Sequence, residues 1–569
     1  MKALRTDRLK VISAIIIMFA LVLVVRLYML QVMQSDAYTA QADRQHVRRG
    51  ENVFDRGSIL FQSRSGELVS AATLQSGYTI AINPQEVVHP EDVYNALSGI
   101  LATDEDSFLR KLGKTEDPYE EIARRVDEPT ALRIEALNIA GIQVIKERWR
   151  FYPAGRLASN TLGFLGYDAG NRFNGRYGLE RYYDDVLSRD EGTPYTNFFV
   201  EMFSDIGALL GGERAEGDIV TTIEPSVQTE LEREIAKVMT QWRSDLTGGI
   251  VMDPYTGEVV ALAVSPSFDP NNVRSEKSAS IFGNPMIEGV YEMGSIIKPL
   301  AMAAGIDAGA VTPKTTYLDE GYVMVNGAKI SNFDGKGRGE VTMQRVLNDS
   351  LNTGMAFVAK KLGNDRLTKY FTEYGLGEET GIDLPGEVPG LIANLKSPRD
   401  IEHVTAAFGQ GIAVTPIETI RALSALGNGG FLPNPHVVKR IDYLSGITKT
   451  LSYDNTRQVL APATSEEITR MLVTVVDTAL LGGTVKLPHY SIAAKTGTAQ
   501  MAKETGKGYY DDRFLHSFFG YFPAYKPRFI VFLYTVYPKG AQYASHTLTY
   551  PFIDLAKFLI NYYDIAPDR

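Results

Sequence analysis

The sequence predicts an α+β protein with three parts in chain order. These are an N-terminal transmembrane helix, a mixed α/β domain, and a C-terminal domain with a five-stranded antiparallel sheet flanked by helices. A long apolar segment near the N-terminus predicts the first part. The length of 569 residues exceeds one ordinary domain, so at least two folded units are expected. In the last part, β-rich segments lie on both sides of a helical stretch, as in α+β domains.

Residues 11–33 are the predicted transmembrane helix. They are mostly apolar, interrupted by Arg26 and Gln31. At about 1.5 Å per residue they are long enough to cross a hydrocarbon core of about 30 Å. A single membrane anchor is therefore expected at 11–33.

The charges of residues 1–10 predict the orientation of this anchor. Four basic residues precede it against a single acid, Asp7, which places residues 1–10 in the cytoplasm and the rest of the chain outside it. A cleaved signal peptide is the alternative. Its nearest cleavage pattern, at residues 40–42, lies well past the apolar stretch, so an uncleaved anchor in the inner membrane is favoured.

Residues 34–224 are predicted to form a mixed α/β domain. Charged stretches such as 117–125 are expected to be helical, and segments such as 78–82 are expected to be short strands. No catalytic signature occurs in this region. We interpret it as a non-catalytic pedestal or dimerisation domain.

Residues 225–569 form the second predicted domain. Apolar residues recur at helical spacing in 225–242, which predicts an opening helix. Helices are also expected at 343–362 and 465–476, and a closing helix at 550–561. The five predicted strands are 247–252, 258–264, 490–499, 517–522 and 528–537.

Composition excludes several classes of site. The chain has no cysteine, so disulfides, thiolate metal sites and cysteine nucleophiles are excluded. Its seven histidines are scattered without metal-ligand spacing, and we predict no metal and no cofactor. The formal net charge of −10 argues against nucleic acid as a partner.

Three short motifs carry the chemistry. In Ser295-Ile296-Ile297-Lys298, serine and lysine share one helix face, so the amine can accept the hydroxyl proton and create an acyl-transfer nucleophile. Ser350-Leu351-Asn352 and Lys495-Thr496-Gly497 follow. Each pattern occurs once in the chain, and the three together, in this order, are far more specific than any one alone.

Ser295 is expected at a helix N-terminus. Gly294 precedes it and Pro299 follows within the next turn, where a missing N–H is tolerated. Lys298 can act as a base only if its pKa falls from about 10.4 to roughly 7–8. Burial and a second cation produce shifts of that sign.

The ordered motifs, with Thr498 completing Lys-Thr-Gly-Thr, resemble the active site of the serine penicillin-recognising enzymes. Flanking segments narrow the resemblance to class B penicillin-binding proteins. These segments are Arg150-Phe-Tyr-Pro-Ala-Gly155, Gly178-Leu179-Glu180, Gly249-Ile-Val-Met-Asp-Pro-Tyr-Thr-Gly257, Phe408-Gly-Gln-Gly411 and Val414-Thr415-Pro416. The resemblance implies a serine β-lactamase/transpeptidase-like fold for residues 225–569.

The resemblance also implies roles for the motif residues. Lys298 would be the base, with Lys495 the second cation, and Ser350 would relay the proton to the leaving amine. Asn352 would hold the substrate peptide and Lys298. Thr496, Gly497 and Thr498 would bind substrate, with the Thr496 and Thr498 hydroxyls and Lys495 forming an edge for a carboxylate. The backbone N–H groups of Ser295 and Thr498 would form the oxyanion hole.

The implied reaction is the cross-linking of peptidoglycan stem peptides through a serine acyl-enzyme, with release of terminal D-alanine. β-Lactams would be covalent inhibitors, and a membrane-embedded glycosyltransferase of the wall-synthesis complex would be a partner. A role in septal wall synthesis is favoured over one in elongation. A non-catalytic scaffold, a β-lactam sensor and a β-lactamase are the remaining alternatives.

Overall fold

The computed structural model describes Met18 and residues 54–114, 116–189, 216–453, 457–503 and 508–569. Apart from Met18, the predicted cytoplasmic tail and anchor lie outside the described residues. Within the described ranges, no helix combines the length and apolarity needed to cross a membrane.

The strands of the described residues fall into two larger sheets and three hairpin-like pairs. They are β1 Ile59–Gln62, β2 Leu68–Ile82, β3 Glu120–Val126, β4 Ile142–Phe151, β5 Leu165–Tyr167, β6 Phe173–Gly175, β7 Gly217–Thr221, β8 Leu246–Met252, β9 Val259–Ser265, β10 Thr316–Asp319, β11 Tyr322–Val325, β12 Ala328–Ser331, β13 Gly339–Thr342, β14 Val438–Tyr443, β15 Thr448–Thr450, β16 Ala493–Ala502, β17 Tyr509–Phe522 and β18 Phe529–Val536.

The α-helices that the structure describes before residue 190 are Pro90–Ser98, Glu105–Leu112, Glu128–Glu135, Ser159–Leu162, Gly178–Tyr182 and Asp184–Leu187. Those that follow are Pro225–Trp242, Pro285–Glu288, Lys298–Asp307, Met343–Asn348, Asn352–Leu362, Asn364–Glu373, Asp400–Ala406, Pro416–Ser424, Pro462–Thr474, Ala544–Thr547 and Thr549–Tyr562.

The first sheet has seven strands in the order β15-β14-β7-β1-β2-β3, with β4 also paired to β2. Only the pairing of β1 with β7 is parallel. The hairpin β14–β15 comes from far along the chain and completes this sheet. The sheet therefore includes strands from both sides of residue 224, the predicted domain boundary.

The helix predicted at 117–125 is wrong. Those residues belong largely to β3, which pairs with β2 through Tyr78, Ile80 and Ile82. Cross-strand pairing overrides the local preference of a charged stretch for helix. The strand predicted at 78–82 is confirmed as the end of β2.

The second sheet confirms the predicted five-stranded antiparallel sheet. Its order is β16-β17-β18-β8-β9, and every pairing is antiparallel. Alternate residues point to opposite faces. Phe518 packs in the core beneath helices Pro225–Trp242 and Thr549–Tyr562, whereas Phe519 joins the larger core that contains Ile296 and Leu300.

The helix predicted over 343–362 is broken in its middle. The structure has helices Met343–Asn348 and Asn352–Leu362, and Ser350 lies between them with φ of 55°. An L-residue rarely adopts this left-handed conformation. No glycine or proline marks the break in the sequence, so the periodic pattern missed it. The break places the second motif at the start of a helix.

Candidate active site

Ser295 lies in a 3₁₀ turn, Gly294–Ile297, that leads into helix Lys298–Asp307. Gly294 has φ of 64°, and a Cβ at this position would lie 2.9 Å from the carbonyl oxygen of Thr498. Glycine is therefore required by both conformation and space. The Ser295 side chain is half-buried and makes no hydrogen bond within the described ranges.

The amines of Lys298 and Lys495 meet at Ser350. Lys298 is fully buried, and its Nζ donates to the Ser350 carbonyl oxygen at 2.5 Å and to Oγ at 3.2 Å. Lys495 is 3% exposed, and its Nζ donates to the same Oγ at 3.1 Å and to the Thr496 carbonyl oxygen at 3.1 Å. One hydroxyl thus accepts from two amines.

Burial changes the ionisation of both lysines. Burial and then the charge of Lys495 hold the pKa of Lys298 well below its usual value. Burial lowers the pKa of Lys495 to about 8. Repulsion between the two buried amines acts on both and favours one neutral and one charged group, and the larger lowering of the pKa falls on Lys298. The pair therefore offers a neutral amine beside a cation, the arrangement that the predicted base and second cation require.

No hydrogen bond joins Asn352 to Lys298 among the described residues. Its Nδ2 donates to the carbonyl oxygen of Ser331 at 3.0 Å, which ties the start of helix Asn352–Leu362 to β12. The Lys298 amine donates to Ser350 instead, and the contact of Asn352 with Lys298 stays a prediction.

A buried polar cluster supports the Ser350–Asn352 turn. Asn332 donates to Asp319 Oδ1 at 2.9 Å and accepts from the backbone N–H of Thr353 at 3.2 Å. The Thr353 hydroxyl donates to Asp319 Oδ1 at 2.8 Å. Sequence reasoning missed Asp319, Asn332 and Thr353. The only local signal is that Thr353 follows the second motif directly.

Edge strand β16 carries the third motif. A Cβ at Gly497 would lie 2.3 Å from Ser517 Oγ and 2.7 Å from the Met293 carbonyl oxygen. The Ser517 hydroxyl itself donates to that carbonyl at 2.8 Å. Glycine at 497 therefore allows β16 to lie directly against the turn that holds Ser295.

The two threonines of this strand differ. Thr496 is half-buried, and its carbonyl accepts the bond from Lys495. The Thr498 hydroxyl accepts from the backbone N–H of Ala544 at 3.1 Å, so it is tied to helix Ala544–Thr547. Of the two hydroxyls predicted to bind a carboxylate, that of Thr498 is the one that also accepts a hydrogen bond from the backbone in the described residues.

The structure thus brings the three motifs together. The Ser295 turn packs on β16, and Lys298 and Lys495 converge on Ser350. Such a site can generate a serine nucleophile next to a buried neutral amine and a cation, without histidine or metal ligands in the arrangement.

Family comparisons agree with this geometry. Residues 247–554 match the penicillin binding protein transpeptidase domain, and residues 54–198 match the penicillin-binding protein dimerisation domain. The chain belongs to the class B penicillin-binding proteins.

Relatives of this class B penicillin-binding protein cover most of its length. It is 31% identical over 515 residues to Stage V sporulation protein D of Bacillus subtilis, covering 88% of this chain and 77% of that protein. It is 26% identical over 538 residues to peptidoglycan D,D-transpeptidase FtsI of Escherichia coli K12, covering 92% and 86%.

A solved structure has the same fold. Penicillin binding protein 3 of Mycobacterium tuberculosis, complexed with aztreonam, aligns with a TM-score of 0.68. The two chains are 22% identical, and the alignment covers 91% of this chain and 98% of that one. At this identity the likeness shows the fold alone.

Proposed function

We propose that this class B penicillin-binding protein is a peptidoglycan D,D-transpeptidase in which Ser295 is the acylated nucleophile. The observation that carries the proposal is the convergence of two buried amines on Ser350 Oγ beside the Ser295 turn. The name peptidoglycan D,D-transpeptidase, carried by the Escherichia coli relative, supports the reaction class.

In the proposed first step, the Ser295 oxygen attacks the carbonyl carbon between the two terminal D-alanine residues of a donor stem peptide. The neutral amine of Lys298 takes the hydroxyl proton, directly or through Ser350. The carbonyl oxygen gains the negative charge, which the N–H groups of Ser295 and Thr498 would stabilise. Lys495, with the Thr496 and Thr498 hydroxyls, would bind the terminal carboxylate, while Asn352 would hold the peptide.

The tetrahedral intermediate then collapses. The amide C–N bond breaks, and Ser350 passes a proton to the departing D-alanine amine and regains one from the Lys298 ammonium group, which becomes neutral again. The amine of a second stem peptide attacks the carbonyl carbon of the Ser295 ester and loses a proton to Lys298. The C–O bond to Ser295 then breaks, and the Ser295 oxygen takes that proton back. A β-lactam would acylate Ser295 in the same way, but its leaving amine stays attached. The aztreonam complex of the Mycobacterium tuberculosis structure supports β-lactams as ligands.

The experiment is intact-mass spectrometry of the full chain in detergent with benzylpenicillin, followed over hours. We expect one adduct per chain, located on Ser295, that persists because water attacks it slowly. Ser295→Ala is the matched control and should carry no adduct. A wild-type chain without an adduct would overturn the proposal. A transient adduct with rapid drug turnover would instead identify a β-lactamase.

We further propose that residues 11–33 anchor the protein in the inner membrane, with 1–10 in the cytoplasm and the remainder outside. Hydropathy and the basic residues before the segment support this arrangement. Residues 34–224 would be the pedestal, and residues 225–569 the transpeptidase domain. Resistance of the full chain to alkaline extraction, and its loss on deletion of 1–33, would test the anchor.

The proposed setting is septal wall synthesis, with a membrane-embedded glycosyltransferase as partner through the anchor. The relative named FtsI supports the division role. A fluorescent fusion should concentrate at division sites, and replacement of 11–33 by an unrelated transmembrane helix should abolish co-purification with that glycosyltransferase. Uniform labelling along the cell wall would contradict the division role.

A further inference from the structure

Glu292 connects three segments around the nucleophile. Its Oε1 accepts from the backbone N–H of Gly411 at 2.9 Å and from the Tyr509 hydroxyl at 3.0 Å. Glu292 itself precedes Gly294 by two residues in the chain. The connected segments are therefore the Ser295 turn, the loop that follows Phe408, and the first residue of β17.

We propose that Glu292 is a positioning residue, which fixes the Ser295 turn against the strand that carries Lys495. This inference rests on the proposed function of Ser295 as nucleophile. The motifs assigned no role to Glu292, because it lies outside all three of them.

Backbone contacts show why the loop after Phe408 matters. The Gly294 N–H donates to the Gly409 carbonyl oxygen at 3.1 Å. A Cβ at Gly409 would lie 2.1 Å from the Gly294 carbonyl oxygen, so loop and turn are in direct backbone contact. Because Glu292 binds Gly411 in this loop, it also restrains the backbone of the Ser295 turn.

Tyr509 connects the same carboxyl to the sheet. It opens β17, pairs with Ala502, and is followed along β17 by the residues that pair with Lys495 through Thr498. A shift of Tyr509 would move the outer end of the β16–β17 hairpin relative to the turn. The Glu292 side chain therefore connects the Ser295 turn to the β16–β17 hairpin.

The environment of Glu292 suits a structural acceptor. Burial raises the pKa of its carboxyl. Its Oε2 is buried and has no hydrogen-bond partner within the described ranges, so Oε1 alone makes both connections. Since both partners are donors, a neutral amide oxygen can replace Oε1 without loss of either bond.

Three variants separate positioning from general stability. Glu292→Ala removes both connections, Glu292→Gln keeps an acceptor oxygen, and Tyr509→Phe removes one hydroxyl while keeping the ring. Tyr370→Phe is the matched control, because the Tyr370 hydroxyl also donates to a carboxylate, Asp307 Oδ2, at 2.8 Å. Each full-length variant is assayed for its acylation rate constant with benzylpenicillin, per folded molecule, and for its thermal midpoint.

We expect Glu292→Ala and Tyr509→Phe to acylate about tenfold to a hundredfold more slowly, as misplaced reacting groups do. Glu292→Gln should restore most of the rate, and Tyr370→Phe should acylate like the wild type whatever its thermal midpoint. Wild-type rates in both Glu292→Ala and Tyr509→Phe, or a Glu292→Gln as slow as Glu292→Ala, would overturn the inference alone. Absence of any Ser295 adduct on the wild type would instead overturn the proposed function, and this inference with it.

Discussion

Lys298 and Lys495 approach from a helix and an edge strand and donate to one oxygen, the Ser350 hydroxyl, at 3.2 Å and 3.1 Å. Two buried ammonium groups this close would repel each other with little solvent screening. The arrangement is therefore stable with one neutral amine and one charged amine. That asymmetry is what the proposed roles of the two lysines, one as base and one as cation, require.

The pH dependence of acylation follows from this asymmetry. The rate should rise with pH as Lys298, whose pKa lies well below its usual value, becomes neutral. It should fall again above about pH 8 as Lys495 loses the charge that is proposed to hold the substrate carboxylate. Acylation rates with benzylpenicillin across the pH range in which the protein stays folded would measure both limbs. In the Lys495→Arg variant the acylation rate should fall only at a higher pH, because arginine stays charged. A fall at the same pH as in the wild type would contradict the role proposed for Lys495.

Lys298→Met should separate activity from stability. Acylation should fall by about 10²- to 10⁴-fold, the usual contribution of a general base. The free energy of unfolding should stay unchanged or rise, since an apolar side chain has no buried amine to desolvate. Mass spectrometry and calorimetry measure the two effects. A variant that acylates normally would remove Lys298 from the mechanism.

Much of the C-terminal fold was predictable because its signals are local. Apolar spacing gave the helix Pro225–Trp242, and β-rich runs gave the five strands. The strand β3 was not predictable from its charged sequence, because only its pairing with β2 decides its conformation. The same holds for β14, which joins a sheet formed mostly by residues before 224.

The motifs predicted which residues gather at the site, but not how they bond. Ser350, the shared acceptor, adopts a left-handed conformation between two helices. No glycine or proline at this break predicts that conformation. Asp319 and Asn332 support the second motif only through tertiary contacts. Glu292 likewise acts through residues more than a hundred positions away.

The left-handed conformation of Ser350 predicts different costs for two substitutions. Ser350→Ala and Ser350→Gly both remove the hydroxyl, so both should lose acylation to a similar extent. Glycine adopts a φ of 55° without strain, whereas alanine does not. Chemical denaturation should therefore find Ser350→Gly more stable than Ser350→Ala by about 1 kcal/mol. Equal stabilities would contradict strain at this position.

Glu180 should be critical for stability of the N-terminal part. It is fully buried and accepts from Arg56 at 2.7 Å, Arg150 at 2.6 Å and Tyr152 at 3.0 Å. Glu180→Ala leaves two buried arginines without this carboxylate and should cost about 3–5 kcal/mol in the free energy of unfolding.

The control for Glu180 is Glu276→Gln. Glu276 lies 3.8 Å from Arg156, whose side chain is 57% exposed. Breaking such a pair should cost less than about 1 kcal/mol. Denaturant unfolding of both variants would compare them, and similar costs would refute the importance of the buried network.

Gly497→Ala should weaken the contact between β16 and the Ser295 turn. The added methyl group would meet Ser517 Oγ and the Met293 carbonyl oxygen at 2.3 Å and 2.7 Å, and the carbonyl belongs to the backbone of the turn. The overlap should cost about 1–3 kcal/mol of stability. Acylation should fall as well, since relief of the overlap moves the strand away from Ser295.

Gly99→Ala is the matched control, because no heavy atom lies within 4 Å of its added methyl group, and it should change neither stability nor the acylation rate. If Gly497→Ala acylated at the wild-type rate, close contact between strand and turn would not be needed for the reaction.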